Sequence, residues 1–146
     1  METIYSAISD RKIRNHSKSF KRSIDEIIIL TRDLVLASLG LFFLSPLFLL
    51  IIIKIKRDSK GPVFYRGERV GKHGKKFMII KFRTMYECPD SYNGSKVTAK
   101  GDSRITPLGK WLRDTKLNEL PQLWNILKGD MSLVGPRPED PSIVKQ

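Results

Sequence analysis

Asn118 and Glu119, in the stretch KLNELPQLWNILKGDMSLVGPRPE (residues 116–139), set an amide and a carboxylate side by side just ahead of Pro121. Leu120, Leu123, Trp124 and Leu127 follow at i, i+3, i+4 and i+7, and Gly129 is a ready helix stop. This spacing predicts a helix with Asn118 as N-cap, Glu119 as first helical residue and Pro121 in the first turn, where no N–H is needed. As architecture that is already complete, since Asn caps well and a first-turn Glu complements the helix dipole. The same geometry also makes a phosphate or metal–phosphate site, because the free N–H groups of a helix start point outward. A short strand is expected over GDMSLV. The rigid Gly135-Pro136-Arg137-Pro138 turn then fixes Arg137, whose guanidinium can grip a phosphate with two N–H groups at once.

A second set of cations lies upstream. Residues 61–85, GPVFYRGERVGKHGKKFMIIKFRTM, read as strand, turn, strand, with KHGKK as the turn. Alternation puts Phe77, Ile79 and Lys81 on one face and Met78, Ile80 and Phe82 on the other. Lys81 and Arg83 leave the strand on the same side, either as a phosphate clamp or as a solvated basic face. The polar, turn-rich residues 86–104 form a loop able to cover a site. Thr106 and Pro107 then mark a helix start, and Leu108, Trp111, Leu112 and Thr115 share one helical face.

These elements are preceded by an apolar segment. Residues 34–53, LVLASLGLFFLSPLFLLIII, carry no charge, long enough to cross a hydrocarbon core of about 30 Å as one helix. The segment starts too late for a cleavable signal peptide. Ser45-Pro46 interrupts it past its middle, where proline removes a backbone donor and clashes with the preceding turn. Lys and Arg flank both ends, whereas a spanning helix keeps its basic excess on one side. A hairpin that dips into one leaflet and returns reconciles these facts, with Ser45 and Ser38 bonding freed carbonyls; a kinked spanning helix is the alternative.

Charge is concentrated in the middle of the chain. Residues 54–116 hold seventeen Lys or Arg against six Asp or Glu, an excess of eleven out of a net +12 for all 146 residues. Such a field attracts polyanions: anionic headgroups, phosphorylated substrates or nucleic acid. No nucleic-acid motif is present and the apolar segment argues against that partner. The single cysteine, Cys88, excludes an internal disulfide or a cysteine zinc cluster and suits a reducing compartment. The organisation expected is α+β. A basic N-terminal arm (1–31, loose over 1–23) leads to a membrane hairpin (32–57), then to a small cytoplasmic domain (58–146) with a β-hairpin and amphipathic helices.

The broken apolar segment, GPVFYRGERVGKHGKKFMIIKFRTM and LRDTKLNELPQLWNILKGDMSLVGPRPE, in that order, resemble the bacterial sugar transferase family over residues 32–146. The last motif is highly specific. The resemblance implies a monotopic phosphoglycosyl transferase anchored by a re-entrant helix on the cytoplasmic face of a bacterial inner membrane. It implies transfer of a sugar phosphate from a nucleotide diphosphosugar, usually a UDP-sugar, to polyprenyl phosphate with Mg²⁺. Such a reaction initiates exopolysaccharide, lipopolysaccharide, capsule or glycoconjugate synthesis. Residue by residue, Glu119 matches the acidic partner of the family's nucleophile and a metal ligand, and Arg137 matches the Arg of the Gly-Pro-Arg-Pro turn. Lys81 and Arg113 match basic positions near the substrate phosphates, which Arg83 would join as a phosphate-binding residue if the strand alternation holds, and Ser45-Pro46 matches the helix break. Asp33 matches the Asp that begins the hairpin, with Arg32 standing in for the basic pair ahead of it. Asn118 occupies the position of the nucleophilic Asp, and an amide is a very poor nucleophile toward phosphorus. The family also continues past the position of Gln146 through a PGITG-like segment that supplies an acidic site residue and membrane contacts. Both departures keep open a non-catalytic relative that binds nucleotide sugar or lipid phosphate, or scaffolds an assembly complex.

Overall fold

The computed structural model describes residues 2–71, 74–88 and 101–141, with side chains from Ile24 onward. The first element is helix α1, Glu2–Asp58. It takes in the residues expected to form an N-terminal arm, and that arm's side chains up to residue 23 lie outside the described residues. From Ile24 to Asp58 the helix is long and apolar enough to cross a membrane.

The helix–break–helix hairpin expected at Ser45-Pro46 is not what α1 shows, because the helix runs through Pro46 without interruption. The physical reason is local. Pro46 offers no N–H to the Phe42 carbonyl four residues back, and the Ser45 hydroxyl donates to that same carbonyl at 2.7 Å. Ser38 makes the equivalent bond to the Leu34 carbonyl, also at 2.7 Å. The serine thus supplies the donor that the proline removes.

One stripe of α1 docks on the rest of the chain. Asp33, Ala37, Ile51 and Ile55 are buried at helical spacing, and Gly40 faces Leu123, whose Cδ1 would lie 3.2 Å from an added Cβ. The opposite face leaves Leu36, Leu39, Phe42, Phe43, Leu49 and Leu50 exposed, Phe42 by 73%. Exposed apolar surface on that scale marks an interaction face.

Strands β1 (Phe64–Val70) and β2 (Lys76–Phe82) form the expected antiparallel hairpin, with Tyr65 opposite Lys81 and Gly67 opposite Ile79. Phe77 and Ile79 are buried as the alternation predicts, and Phe82 turns to the other side. There it joins Ile51, Ile55 and Leu112 in the core, its ring 5.3 Å from Phe48 and 5.5 Å from Phe64. Most of the covering loop lies outside the described residues.

Helix α2, Pro107–Asp114, starts as the sequence predicts: the Thr106 hydroxyl accepts the Gly109 N–H at 2.8 Å and Pro107 opens the first turn. Gly109 is obligatory in this packing, since a Cβ there would lie 2.1 Å from the Thr84 carbonyl oxygen. Trp111 stays half exposed, with Lys54 Nζ 5.9 Å from its ring centre.

The start of the next helix differs from expectation. Lys116 adopts a left-handed conformation (φ 61°), and Leu117–Glu119 form a 3₁₀ turn. Its bonds run from Glu119 N to Lys116 O and from Leu120 N to Leu117 O. Helix α3 begins only at Gln122, with Pro121 in the cap position, and ends at Leu127. Asn118 therefore sits inside the 3₁₀ turn and caps nothing. The strand expected over GDMSLV is also absent; the segment is turn and bend, and the nearest ladder contact is an antiparallel bridge between Glu139, beyond it, and Val70.

Candidate active site

Two elements bring the predicted cations to Glu119. Strand β2 carries Lys81 on the face that Phe77 and Ile79 bury, and Lys81 Nζ reaches Glu119 Oε1 at 2.9 Å. The Gly-Pro-Arg-Pro segment carries Arg137, whose Nη2 reaches the same oxygen at 2.8 Å. Arg137 is 76% exposed and Lys81 19%, so one cation is a fixed floor and the other reaches in from solvent. Partial burial would raise the Glu119 carboxyl. The Lys81 hydrogen bond and the charges of Lys81, Arg137 and Lys116 outweigh it and hold the group below the usual carboxylate range. One carboxylate therefore faces three cations, and the excess is positive.

Both cations engage Oε1, so the second oxygen of Glu119 has no protein partner among the described residues. Those residues contain no group of three His, Cys, Asp or Glu able to hold a metal alone. A hard cation carried on a diphosphate fits the free oxygen, since magnesium commonly takes one or two carboxylates and completes its shell with phosphate and water. The neighbouring Asn118 Oδ1 is closed to solvent and accepts no hydrogen bond. An orphaned buried oxygen of this kind is rare in folded proteins.

The other predicted cations are placed differently. Arg83 does not join Lys81 in a phosphate clamp. It is buried and donates to the Lys60 carbonyl at 3.0 Å and the Ser59 carbonyl at 2.7 Å, tying the end of α1 to the end of β2. The reason is that β2 ends at Phe82, so strand alternation no longer directs the next residue. Arg113 donates through Nε to Thr84 Oγ1 at 2.8 Å. Burial lowers its pKa, opposed by Asp102 and reinforced by Arg104. Among the described residues no carboxylate forms an ion pair with it, and its hydrogen bond goes to Thr84 rather than to Glu119.

Asn125 went unread in the sequence. It is buried, its Oδ1 accepts the Ile80 N–H at 2.9 Å, and its Nδ2 donates to the Met78 carbonyl at 2.8 Å and to Asp130 Oδ2 at 3.1 Å. Its amide thus pairs with the free edge of β2 as a further peptide would. The available signal was an amide placed directly between Trp124 and Ile126 in an apolar helix.

Comparison with known proteins bears on this geometry. A family model described as bacterial sugar transferase matches residues 24–146. The chain is 43% identical over 109 residues to an undecaprenyl-phosphate glucose phosphotransferase of Komagataeibacter xylinus, covering 75% of this chain and 20% of that protein. It is 43% identical over 114 residues to a UDP-N-acetylgalactosamine-undecaprenyl-phosphate N-acetylgalactosaminephosphotransferase of Aeromonas hydrophila, covering 78% and 27%. It is 44% identical over 120 residues to the exopolysaccharide production protein ExoY of Rhizobium meliloti (strain 1021), covering 73% and 53%. The chain thus spans about a fifth to a half of the length of these relatives.

Proposed function

The chain belongs to the bacterial sugar transferase family, and we propose from that premise that it handles a nucleoside diphosphosugar and polyprenyl phosphate at a membrane surface. The observation that carries this reading is the single Glu119 oxygen that both Lys81 Nζ, at 2.9 Å, and Arg137 Nη2, at 2.8 Å, converge on. A diphosphate complements that excess, and Arg137 suits a phosphate because its planar fork donates two parallel N–H groups. A bound diphosphate would offer Arg137 and Lys81 a stronger anion than Glu119, and Glu119 would then be the residue able to hold a divalent cation. Bound Mg²⁺ would neutralise charge on the diphosphate. In the reaction, the phosphorus–oxygen bond to the nucleoside monophosphate breaks, that nucleotide leaves, and a polyprenyl phosphate oxygen takes the sugar phosphate. The names of the relatives favour a UDP-sugar donor and an undecaprenyl acceptor.

The same site yields a test. Arg137→Ala should weaken UDP-glucose binding by about tenfold or more in titration calorimetry, the range expected for a charge-assisted hydrogen bond. Arg57→Ala, on an exposed and screened flank, should change it less than twofold. Equal losses in two folded variants would remove the site from the Pro-Arg-Pro segment.

A second reading rests on Asn118. With an amide where the family places its nucleophile, a relative that binds the nucleotide sugar without turning it over is the alternative. Turnover by the unaltered chain, measured as labelled sugar phosphate appearing on polyprenyl carrier, decides between them.

The membrane geometry proposed is non-spanning, with both ends of the apolar segment on the cytoplasmic side. Packing supports it: Asp33 bonds Ser132, while Ile55, twenty-two residues later and about 33 Å along a helix, packs with Phe82 and Leu112. One polar domain touches both ends of a stretch as long as the hydrocarbon core is thick. A spanning helix would carry that domain into the bilayer. Cysteines introduced at Ile24 and Lys60, with Cys88→Ser, should both be shielded from an impermeant reagent in intact cells. Labelling of one end alone would establish a span.

A further inference from the structure

Asp33 is a buried carboxylate near the start of the longest apolar run in the chain, a costly place for a charge unless it is paired. Its two oxygens are divided between two tasks. Oδ1 takes Arg32 from the same helix, with Nε at 3.0 Å and Nη2 at 2.7 Å. Oδ2 accepts from the Ser132 hydroxyl and from the Leu133 N–H at 3.3 Å, roughly a hundred residues away in sequence. Arg32 alone would have satisfied a surface charge; the second oxygen reaches into another part of the fold.

The segment it reaches is short and otherwise thinly held. Leu133 through Arg137 are exposed and form no strand. Downstream, Val70 N donates to the Glu139 carbonyl at 2.9 Å and Arg69 pairs with Asp140 at 3.0 Å. Upstream, the bonds from Ser132 and Leu133 to Asp33 are the anchor. Arg137 lies between these two fixings, four residues from one and two from the other, and its guanidinium must find Glu119 from there.

We propose that Asp33 is a positioning residue: by fixing the Ser132–Leu133 turn it holds the downstream segment so that Arg137 meets Glu119, which couples seating of the apolar helix to assembly of the anion site. The proposal rests on the reading of Glu119, Lys81 and Arg137 as an anion site. The tether orders a span that would otherwise exchange among many conformations, so Arg137 reaches its target without losing that freedom on each binding event.

The test uses the whole chain in lipid nanodiscs, labelled with ¹⁵N-arginine. The Arg137 side-chain Nε–H signal, assigned by its loss in Arg137→Lys, should move in Ser132→Ala toward its position in Glu119→Gln. Asp33→Ala should move it likewise, and Asp33→Asn, whose amide oxygen still accepts, should restore most of the original position. UDP-glucose affinity should fall about tenfold in Ser132→Ala, with no further loss when that change is made in an Arg137→Ala background. Because Ser132→Ala leaves the helix intact, a folding defect in Asp33→Ala does not remove the test. An Arg137 signal unmoved in Ser132→Ala overturns the proposal, as does a binding loss that adds in full to that of Arg137→Ala. If the unaltered chain binds no UDP-glucose, the anion-site reading fails, and the Arg137 signal alone still decides whether Asp33 positions it.

Discussion

Asn118→Asp should raise transfer of sugar phosphate onto polyprenyl phosphate by about a thousandfold or more, the scale on which loss of a catalytic nucleophile is felt. A carboxylate at this position can attack the sugar-bearing phosphorus and expel nucleoside monophosphate, and the polyprenyl phosphate then displaces it. The amide can do neither step. The 3₁₀ placement changes what the same substitution does to stability. As a helix cap, Asn and Asp would exchange at little cost. Inside the turn, Asn118 Oδ1 is sealed from water and bonded to nothing, so a charge there should lower stability by about 1–3 kcal/mol in the absence of ligand. Part of that loss should return when Mg²⁺ and UDP-glucose are present, because ligand bound only by the folded state stabilises it. Urea denaturation with and without ligand measures this, and the labelled-carrier assay measures turnover. High turnover by the unaltered chain, with no gain from the substitution, would mean that Asn118 does not stand where a nucleophile is needed. In that case Glu119→Gln should be the more damaging change.

Much of the architecture was legible because it depends on short-range rules. The β-hairpin followed from alternation around a glycine turn, and the Thr106 cap with Pro107 behind it marked the start of α2 to the residue. Lys81 could be assigned to the face of Phe77 and Ile79 from period two alone, and it is that face that meets Glu119. Three features resisted for different reasons. The start of α3 depended on a single left-handed Lys116, a conformation that lysine does not advertise. The Ser45-Pro46 pair carried two opposed signals, a breaker and its remedy, and the hydroxyl bond to Phe42 kept α1 continuous. Arg83 followed its lysine neighbour in the alternation, yet the strand had ended and the nearest acceptors were the carbonyls of Ser59 and Lys60. Pairings such as Asp33 with Ser132 join positions about a hundred residues apart, and no local pattern encodes them.

Asn125 concentrates that non-local information in one side chain, and Asn125→Ala should cost about 2–5 kcal/mol. The substitution leaves the Ile80 N–H and the Met78 carbonyl without the partners they now have, at a position that is 1% exposed and closed to replacement water. The loss should be visible as a lower midpoint in urea denaturation, with an unchanged slope. Asn125→Asp is the sharper probe. It keeps the acceptor for Ile80 but removes the donor to Met78 and sets a second carboxylate against Asp130, now 3.1 Å from Asn125 Nδ2. Burial and like charge would raise the pKa of the introduced carboxyl in the folded state. The folded chain then binds a proton more tightly than the unfolded one, so the deficit should be greatest above that raised pKa and shrink as pH falls through it. Asn125→Ala, with nothing to titrate, should show no such recovery. Because the amide couples α3 to the edge of β2, both changes should also loosen the approach of Lys81 to Glu119 and weaken UDP-glucose binding. Asn125→Asp equal in stability to the unaltered chain at neutral pH would mean that β2 is held by Phe77 and Ile79 packing alone, and the register of Lys81 would then owe nothing to this amide.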